Sequence, residues 1–297
     1  MQQWQTSRFV LDLERPLVMG IVNITPDSFS DGGRHDHLSA ALAHCERLLR
    51  DGAHILDIGG ESTRPGSPAV GLEEERARVL PLVREAVKLG VPVSVDTYKP
   101  EVMQAVLELG ADIINDIWAL RQPGAAQVVA SHPQCGVCLM HMHSVPQQMH
   151  REHMQGDVVA QVREFLAAAA AGLQALGVAR ERIVLDAGTG FGKTVAQNFA
   201  LLAREAELAA LGYPLLAGWS RKGSLGEVTG LPVGERMVPS VAAALLSVER
   251  GARIVRVHDV RETRAALQVW QAMHDNEALA GGSPASIPFS PKAFHGS

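Results

Sequence analysis

Short apolar runs, each closing on a polar residue and each followed by a helix-patterned segment, recur about eight times along the chain. No other feature limits the fold so strongly. The apolar runs fall at 17–22, 54–58, 91–95, 112–114, 136–140, 183–185, 215–217 and 254–255. The spacing predicts helices over 38–49, 73–89, 100–109, 125–131, 158–176, 195–211, 239–250 and 263–274. Gly and Pro punctuate the connections, most densely over 59–68. Such alternation over ~260 residues fits a single (β/α)8 TIM barrel, an α/β fold. A doubly wound open sheet would carry a Gly-rich fingerprint after its first strand. Asn23-Ile24-Thr25-Pro26-Asp27 stands there instead. Composition shows no break, so one barrel is expected over 1–275. The Gly-, Ser- and Pro-rich remainder, 276–297, is expected to be a disordered tail.

Charge and cysteine content narrow the function. The formal net charge is -5 and no basic block is present, so the footprint of a nucleic-acid binder is missing. No apolar run reaches the ~18 residues of a membrane span. Met1-Gln2-Gln3-Trp4-Gln5 lacks the basic-then-apolar pattern of a signal peptide. Cys45, Cys135 and Cys138 are too few for a disulfide framework. A cytoplasmic protein acting on small molecules is the expectation. Cys135 and Cys138 have redox-pair spacing, but they enter an apolar strand, and buried packing is the reading.

In a barrel of this kind the chemistry lies at the C-terminal strand ends. The exits are Asn23, Gly59 leading to Thr63-Arg64, Asp96, Asn115, Met140, Asp186, Ser220 with Lys222, and Arg256 with His258. One buried Asp at a strand end serves equally well as a helix cap. Several converging on one mouth exceed what capping requires. Asp96, Asn115 and Asp186 offer carboxylate and amide groups suited to a planar heterocycle with N–H donors. Arg64, Lys222, Arg256 and His258 can clamp an anion. Arg256 and His258 are two apart on a strand and share one side. A ring with N–H groups at one end and a phosphate or diphosphate at the other is the ligand this set fits. Glycines at 192 and 218 would let a flat ligand approach the backbone closely.

Six motifs carry a resemblance. They are Asn23-Ile24-Thr25-Pro26-Asp27-Ser28-Phe29-Ser30, Glu61-Ser62-Thr63-Arg64-Pro65-Gly66, Ser94-Val95-Asp96-Thr97, Gly190-Phe191-Gly192-Lys193-Thr194, Ser220-Arg221-Lys222 and Arg256-Val257-His258-Asp259. Together, over about 17–270, they resemble the dihydropteroate synthase family of pterin-binding barrels. The resemblance implies condensation of 6-hydroxymethyl-7,8-dihydropterin diphosphate with 4-aminobenzoate, giving 7,8-dihydropteroate and diphosphate. Carried over by position, Asp96, Asn115, Asp186 and Lys222 hold the pterin, with Met140 and Arg256 against its face. Asn23, Arg64, Arg256 and His258 hold the diphosphate, with Mg²⁺ as cofactor near Asn23. Thr63, Pro65, Phe191, Ser220 and Lys222 border the aminobenzoate, and Gly218 is counted among the substrate-binding residues. Phe29 and Asp31 lie on a first loop that closes as a lid. The family also implies a homodimer.

The chemistry expected of these residues is electrostatic. Asp96 and Asp186 stabilise positive charge on the pterin as its bond to diphosphate breaks. Cations stabilise the leaving group. Asp96, Asp186, Lys222 and Arg256 are the expected catalytic set. An aryl amine is already a neutral nucleophile, so no general base is assigned. Two places depart from the family pattern. His143 and Ser144 stand where Gln and Gly are usual, and Ala187 and Thr189 where Pro and Ile are. These bear on loop shape and substrate affinity. Three rivals remain at this level. His141-Met142-His143 could serve a metal-dependent hydrolase. A related pterin methyltransferase would need a corrinoid partner, and should lack the Thr63-Arg64 and Ser220-Arg221-Lys222 groups. A non-catalytic pterin binder should have lost Arg64, Lys222 or Arg256.

Overall fold

In the computed structural model, residues 2–24, 34–61, 69–144 and 153–280 are described, the side chains of 34–36 and 277–280 excepted. A small antiparallel hairpin, β1 (Gln3–Gln5) with β2 (Val10–Asp12), precedes the barrel. The barrel strands are β3 (Leu17–Asn23), β4 (Ile55–Gly59), β5 (Val93–Asp96), β6 (Ile113–Asp116), β7 (Gly136–Met140), β8 (Ile183–Asp186), β9 (Leu215–Ala217) and β10 (Ala252–Val257). All pair in parallel, in chain order, and β10 closes on β3. The helices are α1 (Arg34–Arg50), α2 (Leu72–Ala86), α3 (Pro100–Glu108), α4 (Ala125–Ser131), α5 (Val158–Ala175), α6 (Val195–Ala203), α7 (Ala206–Ala209), α8 (Gly223–Thr229), α9 (Met237–Glu249) and α10 (Val260–Ala280). The expected (β/α)8 barrel is therefore the fold.

Period-2 alternation sorts each strand's side chains. Val18, Val22, Leu56, Ile58, Val95, Ile114, Val137, Leu139 and Leu185 face the helices and form the main core. Met19, Ile55, Ile113, Cys138, Val184, Leu216 and Ile254 face inward as one apolar layer, closed off by Trp4 and Leu13. Trp4 donates its indole N–H to the Arg182 carbonyl at 3.0 Å, which fixes the hairpin as the barrel's plug. All three cysteines are free and buried. Burial raises the Cys135 and Cys138 thiols, so they serve as packing groups.

Three boundaries differ most from the periodicity. The helix expected over 195–211 breaks after Ala203. Arg204 leaves helical geometry there (φ -112°, ψ 21°) and its guanidinium reaches Asp157 and Glu207. The helix expected to end at 89 ends at Ala86 and continues as a tighter turn that Gly90 stops in the left-handed region. The last helix runs to Ala280, five residues past the expected domain end at 275. The rest of the expected tail, 281–297, lies outside the described residues. Two elements were not legible. The hairpin strands are three residues each, and α8 carries two glycines in seven residues, which weakens any periodic signal.

Candidate active site

One step up the barrel from the apolar layer, the inward positions change character. Two positions beyond members of that layer stand Asp57, Asn115, Met140, Asp186, Gly218 and Arg256, and on β5, which gives the layer no residue, Asp96 stands two beyond buried Ser94. The strand register places Asn23 beside Gly59, Gly59 beside Asp96, and Asp96 beside Asn115. Met140 lies beside Asp186 in the same way.

Arg256 sits between two carboxylates. Its Nε donates to Asp57 at 2.6 Å and its Nη2 to Asp96 at 2.7 Å. Asp57 is wholly buried and also accepts from Ser94 Oγ at 2.6 Å and from Asn115 Nδ2 at 3.3 Å. Sequence reasoning missed Asp57 because it lies inside the strand rather than at its exit. The signal was present: a lone carboxylate between Leu56 and Ile58, in phase with Ile55 on the inward face. Burial pushes Asp96 up to about 7, against the pull of Arg256 and with help from Asp57. Burial lowers Arg256, but Asp57 and Asp96 outweigh it and hold the guanidinium above its ordinary value.

The opposite wall is built by the loop after β8 and the exits of β9 and β10. Asp186 Oδ1 accepts the Gly188 N–H at 2.7 Å. Burial raises the Asp186 carboxyl, opposed by Lys222. Lys222 donates to the Thr189 carbonyl and lies 4.7 Å above the Phe191 ring centroid. Burial brings Lys222 down to about 8, with Asp186 resisting and Arg256 adding. A Cβ at Gly218 would stand 3.9 Å from both Asp186 Oδ2 and Lys222 Nζ, so the bare backbone there opens onto both groups. Ser220 Oγ lies 2.9 Å from His258 Nδ1 and also accepts the His258 backbone N–H at 3.1 Å. Met140 and Phe191 pack with Ile117 and Met142, flanked by Tyr98 and Trp118, as an apolar wall. Ile117 and Met142 were not anticipated.

Asn23 ends β3 half-buried, its Oδ1 3.8 Å from where a Gly59 Cβ would stand. Phe29, Asp31, Thr63, Arg64 and Pro65 lie outside the described residues. Glu61, the last described residue before Thr63 and Arg64, is held by Lys99 at 2.5 Å and Tyr98 Oη at 3.3 Å. The described members of the expected site thus share one mouth.

The loop departures have structural correlates. Ser144 adopts φ 65°, the left-handed conformation that favours glycine. Gly188, after the departure at Ala187, adopts φ 65° too, and a Cβ there would collide with the His141 carbonyl oxygen. His141 lies one residue past inward-facing Met140, and its ring packs edge-on against Phe165 of α5, centroids 4.9 Å apart. Burial, with Lys193 and Arg121 adding, brings it down to about 2. That placement takes His141 out of the mouth and removes the ground for the hydrolase reading. Among the described residues no group of three or more His, Cys, Asp or Glu could hold a metal ion.

Comparison with known proteins agrees with this geometry. The family model described as pterin binding enzyme matches residues 19–258. A dihydropteroate synthase of Neisseria meningitidis serogroup B is 50% identical over 279 residues, 92% of this chain and 98% of that protein. The Escherichia coli K12 dihydropteroate synthase is 46% identical over 263 residues, 88% of this chain and 93% of that protein. The crystal structure of Burkholderia cenocepacia dihydropteroate synthase with 7,8-dihydropteroate superposes with TM-score 0.86 at 52% identity, covering 94% of this chain and 98% of that one. The Xanthomonas albilineans dihydropteroate synthase with 4-aminobenzoic acid gives 0.84 at 51%, covering 89% and 95%. On these grounds the chain belongs to the pterin binding enzymes, within the dihydropteroate synthase family.

Proposed function

We infer that the protein joins 6-hydroxymethyl-7,8-dihydropterin diphosphate to 4-aminobenzoate, forming 7,8-dihydropteroate and diphosphate in folate biosynthesis. The observation that carries this reading is the placement of Arg256 between Asp57 and Asp96, across the mouth from Asp186 and Lys222. Buried carboxylates beside a cation at the mouth suit a pterin ring. The cationic exits suit its diphosphate.

In this reading the bond from the pterin methylene to the diphosphate oxygen breaks with both electrons leaving on oxygen. The methylene and ring carry the resulting positive charge. Asp96 and Asp186 face that charge in a water-poor site, where a fixed carboxylate counts for most. The aminobenzoate nitrogen then supplies its lone pair to the methylene and afterwards loses one proton to solvent. Positioning against Lys222 and the Phe191–Met140 wall does the rest. Arg256 has two of its three nitrogens engaged by carboxylates. It contributes to diphosphate recognition through the remaining one, while keeping its orientation.

Mg²⁺ fits this mouth in a limited way. Asn23 offers one hard amide oxygen at the end of β3, and Mg²⁺ tolerates few protein ligands when phosphate oxygens and waters complete its shell. When bound, the ion would neutralise charge on the departing diphosphate.

The expected homodimer is proposed on a separate ground. Val228 on α8, Val233 after it, and Val238 and Leu246 on α9 are large apolar side chains left exposed on this chain. Light scattering that gives the monomer mass at micromolar concentration would count against it. A cytoplasmic location accords with three buried free thiols and is tested by fractionation. No described helix is long and apolar enough to cross a membrane.

The deciding assay is diphosphate release. It is expected only when both substrates are present; release from the pterin substrate alone would point to a hydrolase. A sulfonamide is expected to compete with 4-aminobenzoate, and purely non-competitive inhibition would contradict the shared pocket.

A further inference from the structure

Lys193 is buried and has no place in the reaction as described. Its ammonium donates to three backbone carbonyls: Gly188 at 2.8 Å, Phe191 at 3.1 Å and His141 at 3.3 Å. An ammonium has three donors, so the group is fully engaged. Burial holds it well below the ordinary lysine value, and Lys222 pushes the same way. Apolar side chains of similar volume often replace buried charges at no loss of stability. The charge is therefore better explained by geometry than by stability.

Its three acceptors come from two strand exits. His141 follows β7, and Gly188 and Phe191 belong to the loop after β8. That loop reaches the pocket repeatedly. The Gly188 N–H returns to Asp186, the Thr189 carbonyl receives Lys222, and the Phe191 ring lies under the Lys222 ammonium. The loop is pinned at its far end as well. Gly190 N–H donates to Asn198 Oδ1 at 2.7 Å, and Thr194 caps α6 in a capping box with Gln197. Lys193 ties the middle of this loop to the β7 exit from the side-chain side, adding to the backbone bonds from His141 N–H to the Asp186 carbonyl at 3.0 Å and from His143 N–H to the Phe191 carbonyl at 3.5 Å.

We propose that Lys193 is a positioning residue for the aminobenzoate end of the site, tying the β7 exit to the 187–192 loop and so holding Phe191 and the Thr189 carbonyl against Lys222. This rests on the reading of Phe191 and Lys222 as aminobenzoate neighbours. Lys193 acts through those residues and reaches the substrate through none of its own atoms. On the β4, β5, β6 and β10 side the pterin end is secured independently of this loop, by Asp57, Asp96, Asn115 and Arg256 bonded to one another, while Asp186 and Lys222 are the two groups the loop shares with it.

The test is a split in kinetic constants. Lys193→Met keeps length and volume but removes the donors. It is expected to raise KM for 4-aminobenzoate about tenfold, as a displaced positioning group does. KM for the pterin diphosphate is expected to change by less than about threefold. Lys193→Gln retains two N–H donors and is expected to recover part of the loss. Equal rises in both KM values, or a lower Tm with neither KM changed, would overturn the proposal. Should Lys193→Met not fold, the unmodified enzyme still decides. With ¹³C-labelled lysine, the Lys193 Cε resonance is expected to move on saturation with 4-aminobenzoate and diphosphate, and an unmoved signal overturns the coupling. Absence of turnover by the unmodified enzyme is a different failure and would count against the functional reading itself.

Discussion

The two ends of the barrel are made from the same strands and have opposite chemistry. At the lower end Met19, Ile55, Ile113, Cys138, Val184, Leu216 and Ile254 meet Trp4 and Leu13. Two residues along, Asp57, Asn115, Asp186 and Arg256 occupy the inward positions instead. Both layers are shielded from water. The lower one is held by apolar area, at roughly 1.5–3 kcal/mol per large side chain, and each residue contributes largely on its own. The upper one is held by charge pairs, and a buried charge is tolerable only while its partner remains. The lower end should therefore respond to substitution residue by residue, and the upper end as a unit.

Asp57 gives the sharpest test of that difference. Asp57→Ala would leave Arg256 Nε, Ser94 Oγ and Asn115 Nδ2 without their shared acceptor. We expect kcat/KM to fall about 10³-fold, the equivalent of about 4 kcal/mol for an uncompensated buried charge. A variant that keeps kcat/KM within about tenfold would show that the upper layer is not a unit. Asp186→Asn is expected to do less, because Asp186 lies on the opposite wall and the amide keeps its shape. Loss of one charged hydrogen bond corresponds to about 1.5–3 kcal/mol, or roughly ten- to a hundredfold in pterin diphosphate affinity by calorimetry. Equal affinities would sink the assigned role.

pH should move the upper end and leave the lower one alone. Asp96 ionises at about 7 and Lys222 loses its proton at about 8. With Asp96 needed as an anion and Lys222 as a cation, kcat/KM should peak between these values and fall about tenfold per unit on the acid side. Stability runs the other way. Asp96 is raised above its ordinary 3.8, so its contribution is full below that value and is lost as pH rises through 7. Lys222 is depressed from 10.5, so its contribution is full above that value and is lost as pH falls through 8. The charge state that works best is thus the one these two groups stabilise least. A flat rate profile from pH 5 to 9 would contradict both assignments. Trp4→Phe should show the smallest effect. It removes one indole hydrogen bond at the plug, about 1 kcal/mol of stability, read as a small drop in Tm. A change in kcat/KM on that substitution would break the separation of the two ends.

Much of this was legible in the residues. Asp96, Asn115, Asp186 and Arg256 each terminate or nearly terminate a strand whose apolar run and flanking glycines mark it locally. Period-2 alternation then decides which side each one faces. Lys222 was named beside a strand exit, whereas Phe191 came through a motif rather than periodicity, since loops carry no period. Thr63 and Arg64, expected after the β4 exit, lie outside the described residues. The helix break at Arg204 was illegible because it depends on Asp157, 47 positions earlier in the chain.

The sequence by itself determined the order of strands and helices and the list of polar strand ends, because both arise from short-range pattern and punctuation. Only the closed barrel decided how that list is used. Asp57 and Arg256 are 199 positions apart and become neighbours because β10 closes on β3, which carries β4 on its other edge. Lys193 finds His141 because β7 and β8 pair side by side, with a helix between them in the chain. Local propensity encodes which groups stand at the mouth. Barrel closure encodes which of them share a proton, a charge or a bond.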